Sequence, residues 1–198
     1  MRAFLATVAI TSALHGAPAC AADLFTMSFE DFRKAFDQRI REDTPDKSEA
    51  NFSTTKRCAK KGTTYTCTFS DKGFQSAVTG MKKLNLMNGR FTLKMGLTVE
   101  TDGGKVARIL LIGDRGDPVN LIQFSGTSAN IMQLFEPGII DGEGKSLALA
   151  KELGLMRGDA DSATGRPVMV IKPYAAITCL VAPSSITTGT VCEWLPRS

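Results

Sequence analysis

The chain holds a single histidine, His15, and it lies in an amino-terminal stretch that reads as an export leader. Beyond residue 22 there is therefore no imidazole for a Ser–His or Cys–His nucleophile, no histidine general base and no histidine metal ligand. Five cysteines are present. Removing Cys20 with the leader leaves Cys58, Cys67, Cys179 and Cys192, an even set that suits an oxidising compartment. If all four pair, no thiolate remains for catalysis. Their spacings match no zinc pattern, and neither a metal nor another cofactor is expected. What survives is carboxylate chemistry, or a serine or threonine activated by lysine.

Short motifs of that kind occur, and each has a simpler structural reading. Ser53-Thr54-Thr55-Lys56 fits the Ser-x-x-Lys pattern of serine β-lactamases and penicillin-binding proteins, with Ser128-Ala129-Asn130 as an imitation of their second motif. The Lys-Thr-Gly element is missing, and Ser53 sits in a β-rich stretch where a helix start is required. Gly144-Lys145-Ser146 mimics the end of a phosphate loop, but no strand is predicted before it, and no nucleotide cofactor is expected. Arg115-Gly116-Asp117 is an adhesion-type tripeptide in which Asp117 serves better as the N-cap before Pro118. Asp159-Ala160-Asp161 begins like a calcium loop, then places Ala163 and Thr164 where an oxygen ligand and glycine are needed. Asn51-Phe52-Ser53 is a glycosylation acceptor only in a eukaryotic source.

The leader itself is legible. Arg2, an apolar run from Phe4 to Leu14 and the small residues Gly16 to Ala22 form a secretory signal peptide, cut after Ala21 or Ala22. The alternative is lipidation of Cys20, although Ala17-Pro18-Ala19 lacks the customary leucine upstream. No transmembrane segment is expected in the mature chain. A periplasmic or secreted protein is implied, with the leader at 1–22 and one domain at 23–198, divisible into halves at 23–113 and 114–198.

The elements are organised around Phe91–Gly113. Apolar Phe91, Leu93, Met95, Leu97 and Val99 alternate with polar or small residues, the period of a half-buried strand. Asp102-Gly103-Gly104 marks a hairpin turn, and the nearly all-apolar Val106–Ile112 predicts a central strand covered on both faces. Before this hairpin, Ser28 opens a helix whose Phe29, Phe32, Phe36 and Ile40 share one face, and Thr44-Pro45 ends it. Strands are predicted at 51–57 and 63–70, and a short helix at 73–86. After the hairpin, a helix from Pro118 to Phe135 is expected, broken or bent near Gly126. A further helix over 141–156 and strands at 168–174, 176–182 and 188–195 complete the order.

This is α+β: an antiparallel sheet of disulfide-pinned hairpins with helices on one face. Cys58–Cys67 and Cys179–Cys192 are the expected pairs, because each flanks its own turn. A two-residue turn at Gly62-Thr63 sets Cys58 directly across from Cys67, while Pro183-Ser184-Ser185 lies midway between the other two. Trp194 should pack beside the second pair. In architecture this resembles the small disulfide-stapled inhibitor and immunity proteins of the bacterial envelope.

Charge is uneven. Residues 56–94 carry nine basic side chains against one acidic, Asp71. From this stretch the candidate binding surface is Lys56, Arg57, Lys60, Lys61, Lys82, Lys83 and Arg90, with Tyr65 among the aromatics interleaved with it. Phe69, Phe74 and Phe91 would complete a stacking platform; the alternative is that the lysines keep a hairpin edge from pairing with other chains while the aromatics point inward. Such a patch attracts a protein with an acidic face or an anionic envelope component. The expectation is a non-catalytic exported binding protein. The alternative is a carboxylate-dependent hydrolase of envelope polysaccharide.

Overall fold

The computed structural model describes residues 24–42, 52–137, 145–155, 165–182 and 189–197. The leader with Cys20, the Thr44-Pro45 helix stop, the Asp159–Thr164 loop and the Pro183–Ser185 turn lie outside these residues.

A 3-10 turn, Leu24–Thr26, precedes helix α1, Phe29–Glu42. Ser28 caps α1: its hydroxyl accepts from the Asp31 N–H at 3.2 Å and donates to the Asp31 carboxylate at 2.7 Å. Phe29, Phe32, Phe36 and Ile40 are buried, as their helical spacing dictates. Strands β1 (Thr55–Lys61) and β2 (Thr64–Phe69) form the first hairpin, followed by α2 (Lys72–Lys83). Strands β3 (Met95–Asp102) and β4 (Lys105–Asp114) form the central one. Then come α3 (Pro118–Phe135), α4 (Lys145–Glu152), β5 (Val168–Ile171), β6 (Ala176–Val181) and β7 (Gly189–Leu195).

All pairings are antiparallel, and the seven strands run in the order β1-β2-β3-β4-β7-β6-β5. The sheet is continuous across residue 113, so the two sequence halves share it. One transverse row organises it: Cys58, Cys67, Leu97, Leu111, Cys192, Cys179 and Val168 stand opposite one another in turn. Both expected disulfides form, and both lie in this row, each inside its own hairpin beside the central Leu97–Leu111 pair. A cystine at directly facing positions locks the register of its hairpin.

One face of the sheet carries the core. Cys67, Phe69, Leu97, Val99, Ile109, Leu111, Ile177, Cys179, Cys192 and Trp194 are buried on it with the apolar face of α1 and with Phe124, Ile131 and Phe135 of α3. Trp194 is fully buried, two residues along the same face from Cys192.

Two expectations are corrected here. The central strand β4 is covered on one face only: Ile112 is 44% exposed, and Arg108 and Leu110 share its open side. A register shift near Glu100/Thr101 leaves Ala107 as an extra residue, so Val106 and Ile109, three apart, both face inward. An apolar run is thus split between two faces rather than buried on both. The turn below uses Gly103 and Gly104 at φ +54° and +80°, as a tight hairpin requires.

Helix α3 is continuous through Gly126. That glycine answers to packing, since a Cβ there would come within 1.9 Å of the Phe52 ring. The helix also buries Asn120, Gln123, Thr127, Ser128, Asn130 and Gln133. Asn120 locks its start, accepting from the Lys94 N–H at 2.9 Å and donating to the Thr92 carbonyl at 3.0 Å. Gln133 accepts from Arg39 of α1.

Candidate functional site

The candidate surface begins with β1, the outermost strand on one side of the sheet. Its base is tied to α1. The Asp37 carboxylate accepts from the Thr55 N–H at 2.8 Å and the Thr55 hydroxyl at 2.6 Å, and Arg33 Nε donates to that hydroxyl at 3.0 Å. The tip is tied to β3, where the Thr63 carbonyl accepts from both the N–H and the hydroxyl of Thr101, each at 2.9 Å. Between these anchors the Cys58–Cys67 bond holds the strand to β2. The strand is therefore a rigid rail for its side chains.

Lys56, Arg57, Lys60 and Lys61 all stand exposed on that rail, and none of them makes an ion pair among the described residues. Register sorts them by face. Arg57 is opposite Thr68 and Lys61 opposite Thr64, on the open side. Lys60 is opposite Tyr65, and its ammonium lies 5.1 Å from the ring centroid. Lys56 sits at the register irregularity at the base, where it borders a shallow depression with Asp71, Gln75, Phe91 and Met95.

Tyr65 lies differently from an exposed stacking residue. It is half-buried, stacked on Phe29 with ring centroids 3.8 Å apart, and this contact holds it in place. Phe69 and Phe74 are buried in the core, so the expected aromatic platform is not formed by them. Phe91 is half-buried against the Phe74, Val78, Met87 and Val119 cluster. Strand alternation turns odd-numbered β2 residues inward, and this decides the fate of Tyr65 and Phe69.

The remaining cations are separate from the rail. Lys82 and Lys83 occupy the last turn of α2, where they complement the negative end of the helix dipole, and Arg90 is exposed in the loop that follows. The start of α2 is the end that neighbours Lys56. A helix of 12 residues puts its far end on the order of 18 Å away. Lys94 is bound to Asp114 at 2.8 Å, which holds its ammonium above the usual lysine range.

A feature not read from the sequence lies beside the rail. Thr64, Thr66 and Thr68 of β2 and Thr98 of β3 sit on the open face next to Arg57 and Lys61. The alternation Thr-x-Thr-x-Thr is its signal: with Tyr65, Cys67 and Phe69 turned inward, the hydroxyls must turn outward.

The short motifs are occupied structurally. Ser53 is fully buried while Lys56 is exposed, and no hydrogen bond joins them. Arg115 donates to the Ala182 carbonyl at 2.8 Å, and Asp117 caps α3 by accepting from the Asn120 N–H at 2.8 Å. Other carboxylates are held in pairs as well. Glu100 and Glu193 flank Arg108, lifting its pKa further, and Glu152 takes Lys172 at 3.0 Å. Among the described residues no three histidine, cysteine or acidic side chains gather as a metal site, and no helix is long and apolar enough to cross a membrane. Comparison with protein-family models, curated proteins and solved structures finds no match.

Proposed function

We propose that this is an exported binding protein that captures an anionic partner, an acidic protein face or an anionic envelope component, through the basic rail of β1. The observation that carries this reading is that, among the described residues, no carboxylate pairs with Lys56, Arg57, Lys60 or Lys61, on a strand pinned at its base, middle and tip. Holding four cations along one strand spares their backbone the ordering cost on binding. The neighbouring threonines add hydroxyl donors at the level of Arg57 and Lys61. The two disulfides fit an oxidising compartment, as export requires.

The test is retention of the oxidised protein on vesicles containing phosphatidylglycerol and on extract from an envelope fraction, across a salt series. Reversing Lys56, Arg57, Lys60 and Lys61 to glutamate should abolish retention, since each cation near an anionic surface contributes about 1 kcal/mol. Reversing Lys82 and Lys83 should leave most of it. Retention by the four-site variant equal to that of the parent, with circular dichroism unchanged, would refute the reading. Elution of vesicles by salt alongside salt-resistant capture of one protein would select the protein partner.

A further inference from the structure

The two outer strands of the sheet differ sharply. β1 carries four cations in seven residues, the usual protection against pairing with another chain. β5, Val168-Met169-Val170-Ile171, carries no charge, and among the described residues no strand pairs with its outer side. Met169 is 64% exposed and Ile171 54%.

Backbone parity shows what that outer side offers. The Lys172 N–H donates to the Ala175 carbonyl at 2.9 Å and closes the hairpin to β6. Antiparallel bonds alternate, so Val170 and Val168 also bond to β6, while the N–H and C=O groups of Met169 and Ile171 point away from it. Pro167 and Pro173 share the outward parity and have no N–H to give. Among the described residues the free donor row is therefore two residues long and stopped at both ends.

We propose that a second copy of this chain pairs with β5 about a two-fold axis, joining two seven-stranded sheets end to end. Three observations select a second copy as occupant. First, the pattern is self-complementary: with Val170 on the axis, Met169 of each copy faces Ile171 of the other, and the two outward donors and acceptors are all satisfied. Second, no cation is placed opposite another. Lys172 faces Val168 and is already paired with Glu152 at 3.0 Å, and Arg166 faces Tyr174. The same operation at β1 would oppose lysines and arginines. Third, the prolines end the ladder after one turn of pairing, which gives a closed dimer rather than a growing fibre. The exposed Met169 and Ile171 side chains of both copies then meet on the open face, next to Ala176.

A joint this short gives a weak dimer, with dissociation expected between roughly 10 μM and 1 mM, as for the smallest specific interfaces. Sedimentation equilibrium across that range should show the mass of the oxidised protein rising toward twice the monomer value. Met169→Lys with Ile171→Lys should raise the dissociation constant at least about tenfold. Met169→Pro removes one outward N–H and no bond to β6, so it should do the same with an unchanged far-ultraviolet spectrum. Ile112→Lys, on the open face three strands inward, should leave association intact. A monomer throughout, association indifferent to the β5 variants, or equal loss with Ile112→Lys, which would mean face-to-face stacking, would each overturn the proposal.

Discussion

Replacing each cystine by alanines should cost different amounts, although the two lie in the same row. Cys58 and Cys67 are 9 residues apart and Cys179 and Cys192 are 13 apart. Loop-closure entropy alone then assigns losses of about 2.6 and about 2.9 kcal/mol at 25 °C, nearly equal. Burial separates them. Cys179 and Cys192 are 1% and 0% exposed in the interior of the sheet; in the first pair Cys67 is enclosed as well, at 1%, and only Cys58, half-buried on the outermost strand, is partly open to water. Deleting two enclosed sulfurs adds a cavity and lost contacts, about 1–2 kcal/mol more. The second double variant should therefore lose about 4–5 kcal/mol and the first about 3. The assay is guanidinium unfolding followed by fluorescence of Trp194, the only tryptophan and fully buried. Both variants should also show a steeper denaturant dependence, because their unfolded chains expand. Equal losses, or a larger loss at the edge pair, would refute the argument from burial. Losses without a change in slope would refute the argument from the unfolded chain.

Two further outcomes follow from the packing. Gly126→Ala, with its methyl aimed at the Phe52 ring, should destabilise by about 1–3 kcal/mol and loosen the approach to β1, read as a lowered unfolding midpoint and weaker retention on anionic vesicles. Tyr174 is stacked on Phe135 at 5.0 Å, and burial together with the nearby Glu136 carboxylate raises its phenol above the usual value near 10. A raised pKa contributes stability below about pH 10, lost as pH rises past it because the unfolded chain ionises first. Tyr174→Phe should therefore flatten the alkaline fall in stability by at most one proton, about 1.4 kcal/mol per pH unit; an unchanged slope would show that Tyr174 ionises freely in the folded state.

Much of this protein was legible in its residues because the signals are local. Ser28 and Asp31, or Asp117 and Pro118, write a helix start within four positions, and both caps form as read. The cysteine pairs were readable because each brackets a turn signal in the sequence, so sequence distance and spatial distance agree. Gly126 shows where local reading fails. A glycine inside a helix reads as a weak point, but here it is the space that Phe52, distant in sequence, must occupy. The buried glutamine and asparagine side chains of α3 escaped notice for the same cause: their burial is a property of the neighbours. The candidate surface divides in like manner. The excess of cations in 56–94 is compositional, whereas the division of Lys60 from Lys61 by face, and of both from Lys82, arises from strand parity and helix length.

The α+β class, the two cystines, the order of elements and the basic bias of one stretch are written in the residues, since all are set by periodicity, turn chemistry and composition within short windows. Contacts between distant segments set the strand order, which places β4 at the centre between β3 and β7 and leaves the unlike strands β1 and β5 outermost. They also decided which face of β4 meets solvent and which cations stand without an ion pair among the described residues. These depend on contacts between segments distant along the chain, where hydrophobic burial and ladder pairing select among arrangements that local propensity leaves equal.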